Sequence, residues 1–154
     1  MKRICVLQVE DTDEDIQLMG YAFEEAGIGA TLRAVTHGQA AIDYLSGTGK
    51  YADRTAFPLP HLILLDLKMP GLDGVELLRW IRTASVCKNI PVIVLTSSAQ
   101  EQDVEAVYSA GANAFVTKPS GVLELIELLG VLKSFWLQFT RLPSAVAVAA
   151  RQAH

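Results

Sequence analysis

Short apolar runs alternate along this chain with stretches in which apolar residues return every three or four positions. Residues 4–9 (ICVLQV) form the first run and 31–35 a weaker second. Residues 62–66 (LILLD), 91–96 (PVIVLT) and 114–117 (AFVT) follow. The third and fourth runs show no polar alternation, which is the pattern of strands covered on both faces. Between the runs the period changes. Ile16, Met19, Phe23 and Ala26 keep helical spacing, and Gly27 supplies a stop. Thr12, with Asp15 three positions on, has the form of a capping box. Residues 39–45 predict a short helix, and Val75, Leu78 and Ile81 mark a third. Residues 100–110, closed by Gly111, predict a fourth, and a long last helix runs from 120 to about 139. Residues 46–60 (SGTGKYADRTAFPLP) read as a long loop, and MPGLDG at 69–74 as turn chemistry.

Five strands alternating with five helices define an α/β fold with a parallel sheet. Such sheets gather ligands at the carboxyl ends of their strands, near the topological switch point. The first strand ends at Glu10–Asp11, the third at Asp66, the fourth at Thr96 and the fifth at Thr117–Lys118. Three carboxylates, a hydroxyl and an ammonium are therefore expected along one edge. Glu10, Asp11, Asp13, Glu14 and Asp15 crowd into six positions. Two like charges about 5 Å apart repel by roughly 3 kcal/mol at an effective dielectric near 20. Acids in a first helical turn are favourable to the helix dipole, so Asp13, Glu14 and Asp15 are expected to start a solvated helix. The acids at the strand ends ask for a cation. Hard oxygen ligands with open positions suit Mg²⁺, which accepts phosphate as a further ligand. Lys118 adds a cationic clamp, Thr96 a donor, and Asp66, at the end of the most buried strand, a carboxylate nucleophile.

Composition narrows the classes. The chain has 154 residues, 51% hydrophobic and 19% charged, a globular balance. Net charge is -4 with no basic patch, which speaks against direct nucleic-acid binding. Cys5 and Cys87 are unclustered, which excludes a zinc motif and fits a reducing, cytoplasmic compartment. The apolar part of the N-terminus is too short for a signal peptide. The apolar stretch 122–137 is broken by Glu124, Glu127, Lys133 and Ser134, unlike a membrane span. His37, His61 and His154 are scattered and read as structural or surface residues. GTGK at 47–50 fails the phosphate-loop pattern, because Tyr44 and Tyr51 stand where Gly and Ser or Thr are needed.

With these pieces in place, the chain resembles the receiver domain of bacterial two-component response regulators. The resemblance rests on Glu10–Asp11, on LLDLKMPGLDG around Asp66, on VIVLTSS with Thr96 and on FVTKP with Lys118. It covers roughly residues 3–139, leaving 140–154 as a tail too short for a DNA-binding module. It implies a doubly wound, flavodoxin-like five-stranded parallel sheet in the order 2-1-3-4-5. It also implies that Asp66 accepts phosphate from a sensor histidine kinase. Glu10, Asp11, Asp66 and the backbone carbonyl of Lys68 would hold Mg²⁺. Thr96 and Lys118 would bind the phosphoryl oxygens, and Phe115 matches the family's aromatic switch position. The 46–60 loop and the closing FWLQFTRLP resemble stand-alone receivers paired with bacterial phytochromes. That subfamily tends to dimerise through its C-terminal region.

The last helix carries its own signal. Val122, Leu125, Ile126 and Leu129 make one apolar stripe, suited to the sheet. Leu128, Val131, Leu132, Phe135 and Phe139 make a second, which predicts a homodimer interface, the other reading being cover by the 46–60 loop or the tail. Two other readings share the residues. An aspartyl phosphatase would use the same nucleophile, but the second acid of an Asp-x-Asp pair is absent after Asp66. A pseudo-receiver would bind partners without phosphate, which the presence of Asp66, Thr96 and Lys118 disfavours.

Overall fold

The computed structural model describes residues 4–67, 73–97 and 101–143, the side chains of 101 and 102 excepted. Its strands are β1 (Cys5–Val9), β2 (Thr31–Val35), β3 (Leu62–Leu65), β4 (Val92–Thr96) and β5 (Ala114–Thr117). They form one parallel sheet in the order β2-β1-β3-β4-β5, as the resemblance implied. The helices are α1 (Asp13–Glu25), α2 (Gly38–Ser46), α3 (Gly74–Thr83), α4 (Glu101–Ser109) and α5 (Val122–Leu132).

The central strands are apolar throughout because both faces are covered. Leu7, Val9, Ile63, Leu65, Val92 and Val94 point into one core, with Leu45, Leu77, Leu78 and Ile81 of α2 and α3. Val6, Leu64, Ile93 and Leu95 point into the other, with Met19, Ala22 and Phe23 of α1 and Leu125, Leu129 and Leu132 of α5. Pairing sets Val9 opposite Val35 and Leu65, and Thr96 opposite Thr117. The residues that follow the strands are thereby brought level at one edge.

Three sequence expectations change. Thr12 is the N-cap of α1, but its side chain makes no capping hydrogen bond, so the capping box does not form. The 46–60 loop is folded rather than open. Gly47 ends α2 in the left-handed region at φ 73°, and a 3₁₀ turn follows at Gly49–Ala52. The Arg54 guanidinium donates to the carbonyls of Tyr44 (2.7 Å), Leu45 (2.8 Å) and Phe57 (3.3 Å). The rings of Tyr44, Tyr51 and Phe57 pack together beside it.

The third correction concerns the last helix, which continues past α5 into a π-helical turn, Lys133–Phe139. Leu132 is buried and Leu128 half-buried against the α1–sheet core, not on a second face. Leu125, Leu128, Leu129 and Leu132 follow the i, i+3, i+4, i+7 spacing of a single stripe. Val122, assigned to the sheet side, lies exposed at the rim. Val131, Phe135 and Phe139 do face outward, at 62%, 57% and 80% exposure. The histidines are structural where described: His37 caps α2 by accepting from the Ala40 amide, and His61 accepts from the Cys5 amide. Among the described residues no helix is long and apolar enough to cross a membrane.

Candidate functional site

Each acid is placed by backbone that continues the sheet ladder past the strands. The Glu10 amide donates to Val35 O at 3.0 Å, and the Asp66 amide to Val9 O at 3.1 Å. Glu10 then turns its carboxylate inward, where it is 2% exposed, and Oε2 accepts from the Asp11 amide at 2.9 Å. The start of α3 is pressed against the chain that follows Asp66. The Gly74 amide donates to Leu67 O at 3.3 Å. A Cβ on Gly74 would lie 2.7 Å from Leu67 Cα and 3.1 Å from Asp66 O, so only glycine permits this approach. Asp73 caps α3 by accepting from the Glu76 amide at 2.8 Å.

One carboxylate oxygen each from Glu10, Asp11 and Asp66 falls within a common 4.8 Å separation. Lys118 closes the group from the far side of the sheet. Its amide donates to Thr96 O at 2.8 Å. Its Nζ lies 2.6 Å from Glu10 Oε1, 3.1 Å from Asp15 Oδ2 and 3.7 Å from Asp66 Oδ2. Thr96 is buried at the end of β4. Phe115, on β5, is half-buried against the core that includes Leu77 and Val94, and its amide donates to the Tyr108 hydroxyl at 3.1 Å. Lys68 lies outside the described residues.

The electrostatics follow from burial. Loss of water pushes the Glu10 carboxyl up to about 7, and the Asp66 charge adds to the rise, while the hydrogen bond and charge of Lys118 work against it. Burial also raises Asp15, but hydrogen bonds from Lys118 and Thr12 outweigh it and hold Asp15 below the usual aspartate value. For Lys118 burial disfavours the charge, yet its bonds to Glu10 and Asp15 hold the ammonium above the usual lysine value. Three hard oxygen donors within 4.8 Å of one another, whose charges burial and mutual repulsion disfavour, fit a divalent cation. The ammonium beside them can accept a further anion.

The sequence named Glu10, Asp11, Asp66, Thr96 and Lys118 for this edge, and the strand ends bring all five there. It assigned Asp15 to a solvated helix start. The fold instead aims Asp15 at Lys118, 103 positions away. The available signal was its spacing, one helical turn beyond Asp11.

Fold and site together define a doubly wound α/β protein with an acidic, lysine-closed pocket at its strand ends. Residues 6–130 match the response regulator receiver domain, and the chain belongs to that family of signalling proteins. It is 37% identical over 140 residues to response regulator Rcp1 of Synechocystis sp., covering 91% of this chain and 93% of Rcp1. A solved Mn²⁺-bound form of Rcp1 superposes with a TM-score of 0.81 at 36% identity, over 92% of this chain and 99% of that one. Response regulator RPA3017, of red light signaling in R. palustris, gives a TM-score of 0.87 at 35% identity, over 92% and 99%. The phosphorylated cyanobacterial phytochrome response regulator RcpA gives 0.85 at 34% identity, over 93% and 100%. The resemblance read from the four motifs thus holds at the level of the family, and its phytochrome-associated members are among the relatives.

Proposed function

We propose that this chain accepts a phosphoryl group on Asp66 from a sensor histidine kinase and passes the signal on by protein contact, as a switch rather than a turnover enzyme. The observation that carries this reading is the placement of Lys118 Nζ, 3.7 Å from Asp66 and 2.6 Å from Glu10, beside three acids drawn to within 4.8 Å. Glu10, Asp11, Asp66 and the Lys68 carbonyl would hold Mg²⁺, which when bound neutralises the acids and the incoming phosphoryl oxygens. An Asp66 oxygen attacks phosphorus. The bond between phosphorus and the kinase histidine breaks, and its electron pair leaves with the imidazole. Lys118 and the Thr96 hydroxyl then bind the phosphoryl oxygens. Drawing Thr96 toward the site opens room behind β4 for the ring of Phe115, which carries the change to the outer surface.

Similarity to RcpA and RPA3017 supports a phytochrome-like kinase as the donor, and a cytoplasmic setting goes with it. The outward row Val131, Phe135 and Phe139 supports a homodimer through the last helix. Leu128 and Leu132 leave that interface, because they pack inward.

Intact-mass spectrometry after incubation with acetyl phosphate tests the central claim. One phosphoryl adduct is expected, dependent on Mg²⁺ and absent from Asp66→Asn. Normal labelling of that variant rejects Asp66 as the acceptor.

A further inference from the structure

Three carboxylates surround the Lys118 ammonium, and one of them stands outside the candidate metal cluster. Glu10 and Asp66 belong to that cluster, while Asp15, in the first turn of α1, does not. An ammonium has three donors. Two already serve Glu10 Oε1 at 2.6 Å and Asp15 Oδ2 at 3.1 Å. Asp66, at 3.7 Å, stands beyond hydrogen-bonding reach. A phosphoryl group on Asp66 therefore meets a lysine with two of its three donors engaged elsewhere, its nitrogen held 3.7 Å from the acceptor.

The two carboxylates holding Lys118 differ in what release would cost. Glu10 is 2% exposed and holds the ammonium by the shorter contact, 2.6 Å against 3.1 Å, so that grip is the tighter of the two. The Asp15 side chain is 39% exposed and sits at a helix N-terminus. Once released it is rehydrated and remains favourable to the α1 dipole. Asp15 is the partner that gives way.

We propose that Asp15 is a positioning residue that holds Lys118 back from the acceptor carboxylate and so slows the arrival of phosphate. This rests on Asp66 being the acceptor. As the bond from an Asp66 oxygen to phosphorus forms and the bond from phosphorus to the donor breaks, the electron pair leaves with the donor. Charge on the phosphoryl oxygens then draws Lys118 across: its third donor takes a phosphoryl oxygen, and the movement lengthens the contact with Asp15. No other atom is transferred. The half-exposed ion pair is a modest restraint of the kind measured for surface pairs.

The test compares labelling rates with acetyl phosphate at saturating Mg²⁺ for the wild type, Asp15→Asn and Asp15→Glu, with Asp66→Asn as the control. Asp15→Asn keeps the shape and removes the charge. It should label about 1.5-fold to fivefold faster, the range set by the energy of such a pair. Asp15→Glu should return the rate toward that of the wild type. Added salt should quicken the wild type and leave Asp15→Asn nearly unchanged, because only the former has the pair to screen. A purely structural role would shift the melting temperature and leave this ratio and its salt dependence alone. An Asp15→Asn rate equal to or below the wild type overturns the proposal. A wild type that takes no label at all is a different result: it rejects the receiver chemistry itself, and this proposal with it.

Discussion

Glu10 shows how a single residue ties stability to the site. Its carboxyl is raised to about 7, chiefly by burial. The native state keeps this proton where the unfolded chain has lost it. The associated stability is therefore full below the ordinary glutamate range and is lost as pH rises through about 7. In chelator, the melting temperature should fall between pH 5 and pH 8, by about 3 °C for each kcal/mol lost. Glu10→Gln should flatten that slope, and a divalent cation should restore the wild type at the upper pH. A calorimetric series that is flat for the wild type would contradict the assignment. The acids at the strand ends were legible because each directly follows an apolar run, and parallel strands bring such ends together. Asp15 was not, since an acid in a first helical turn already has a sufficient local explanation. Its partner is distant in sequence and becomes visible only when β5 is laid beside β4.

Among the elements, the apolar runs and helical periods fixed five strands and five helices with small boundary shifts, because hydrophobic period is a local property. Contacts between elements were not local and went unread. Arg54 folding the 46–60 loop onto α2 is one case. The phase of the last helix is another, where α1 widened the buried stripe to include Leu128 and Leu132. Arg82 is a third. From the end of α3 its guanidinium donates to Gly111 O (2.7 Å), Ile90 O (2.8 Å), Lys88 O (3.1 Å) and Asn113 Oδ1 (2.7 Å). It thereby ties α3 to the approaches of both β4 and β5. Gly111, at φ 108°, leaves room for it, since a Cβ there would lie 2.7 Å from Arg82 Cγ. Arg82→Ala should cost about 2 to 3 kcal/mol, the loss of charged donors to half-buried carbonyls. Arg82→Lys should recover little of it, because an ammonium lacks the planar fork. Urea midpoints decide the matter, and a variant within experimental error of the wild type would refute the role.

For the molecule as a whole, the two cores account for the helices packed on each face of the sheet, and the outward row on the last helix is left over. Val131→Glu combined with Phe135→Glu should halve the mass measured by light scattering without changing the circular dichroism, since both side chains are exposed in the single chain. A wild type that already runs at the monomer mass would dispose of the dimer. The site itself is a long-range assembly: Glu10 and Lys118 are hydrogen-bonded across 108 positions. During synthesis Glu10 and Asp11, which follow β1, are made long before Lys118, which follows β5. A nascent chain stopped short of β5 would hold Glu10, Asp11 and Asp66 with nothing to pair the buried carboxylate. The constellation is therefore complete only once the fifth strand has docked beside the fourth, however early its acids are made.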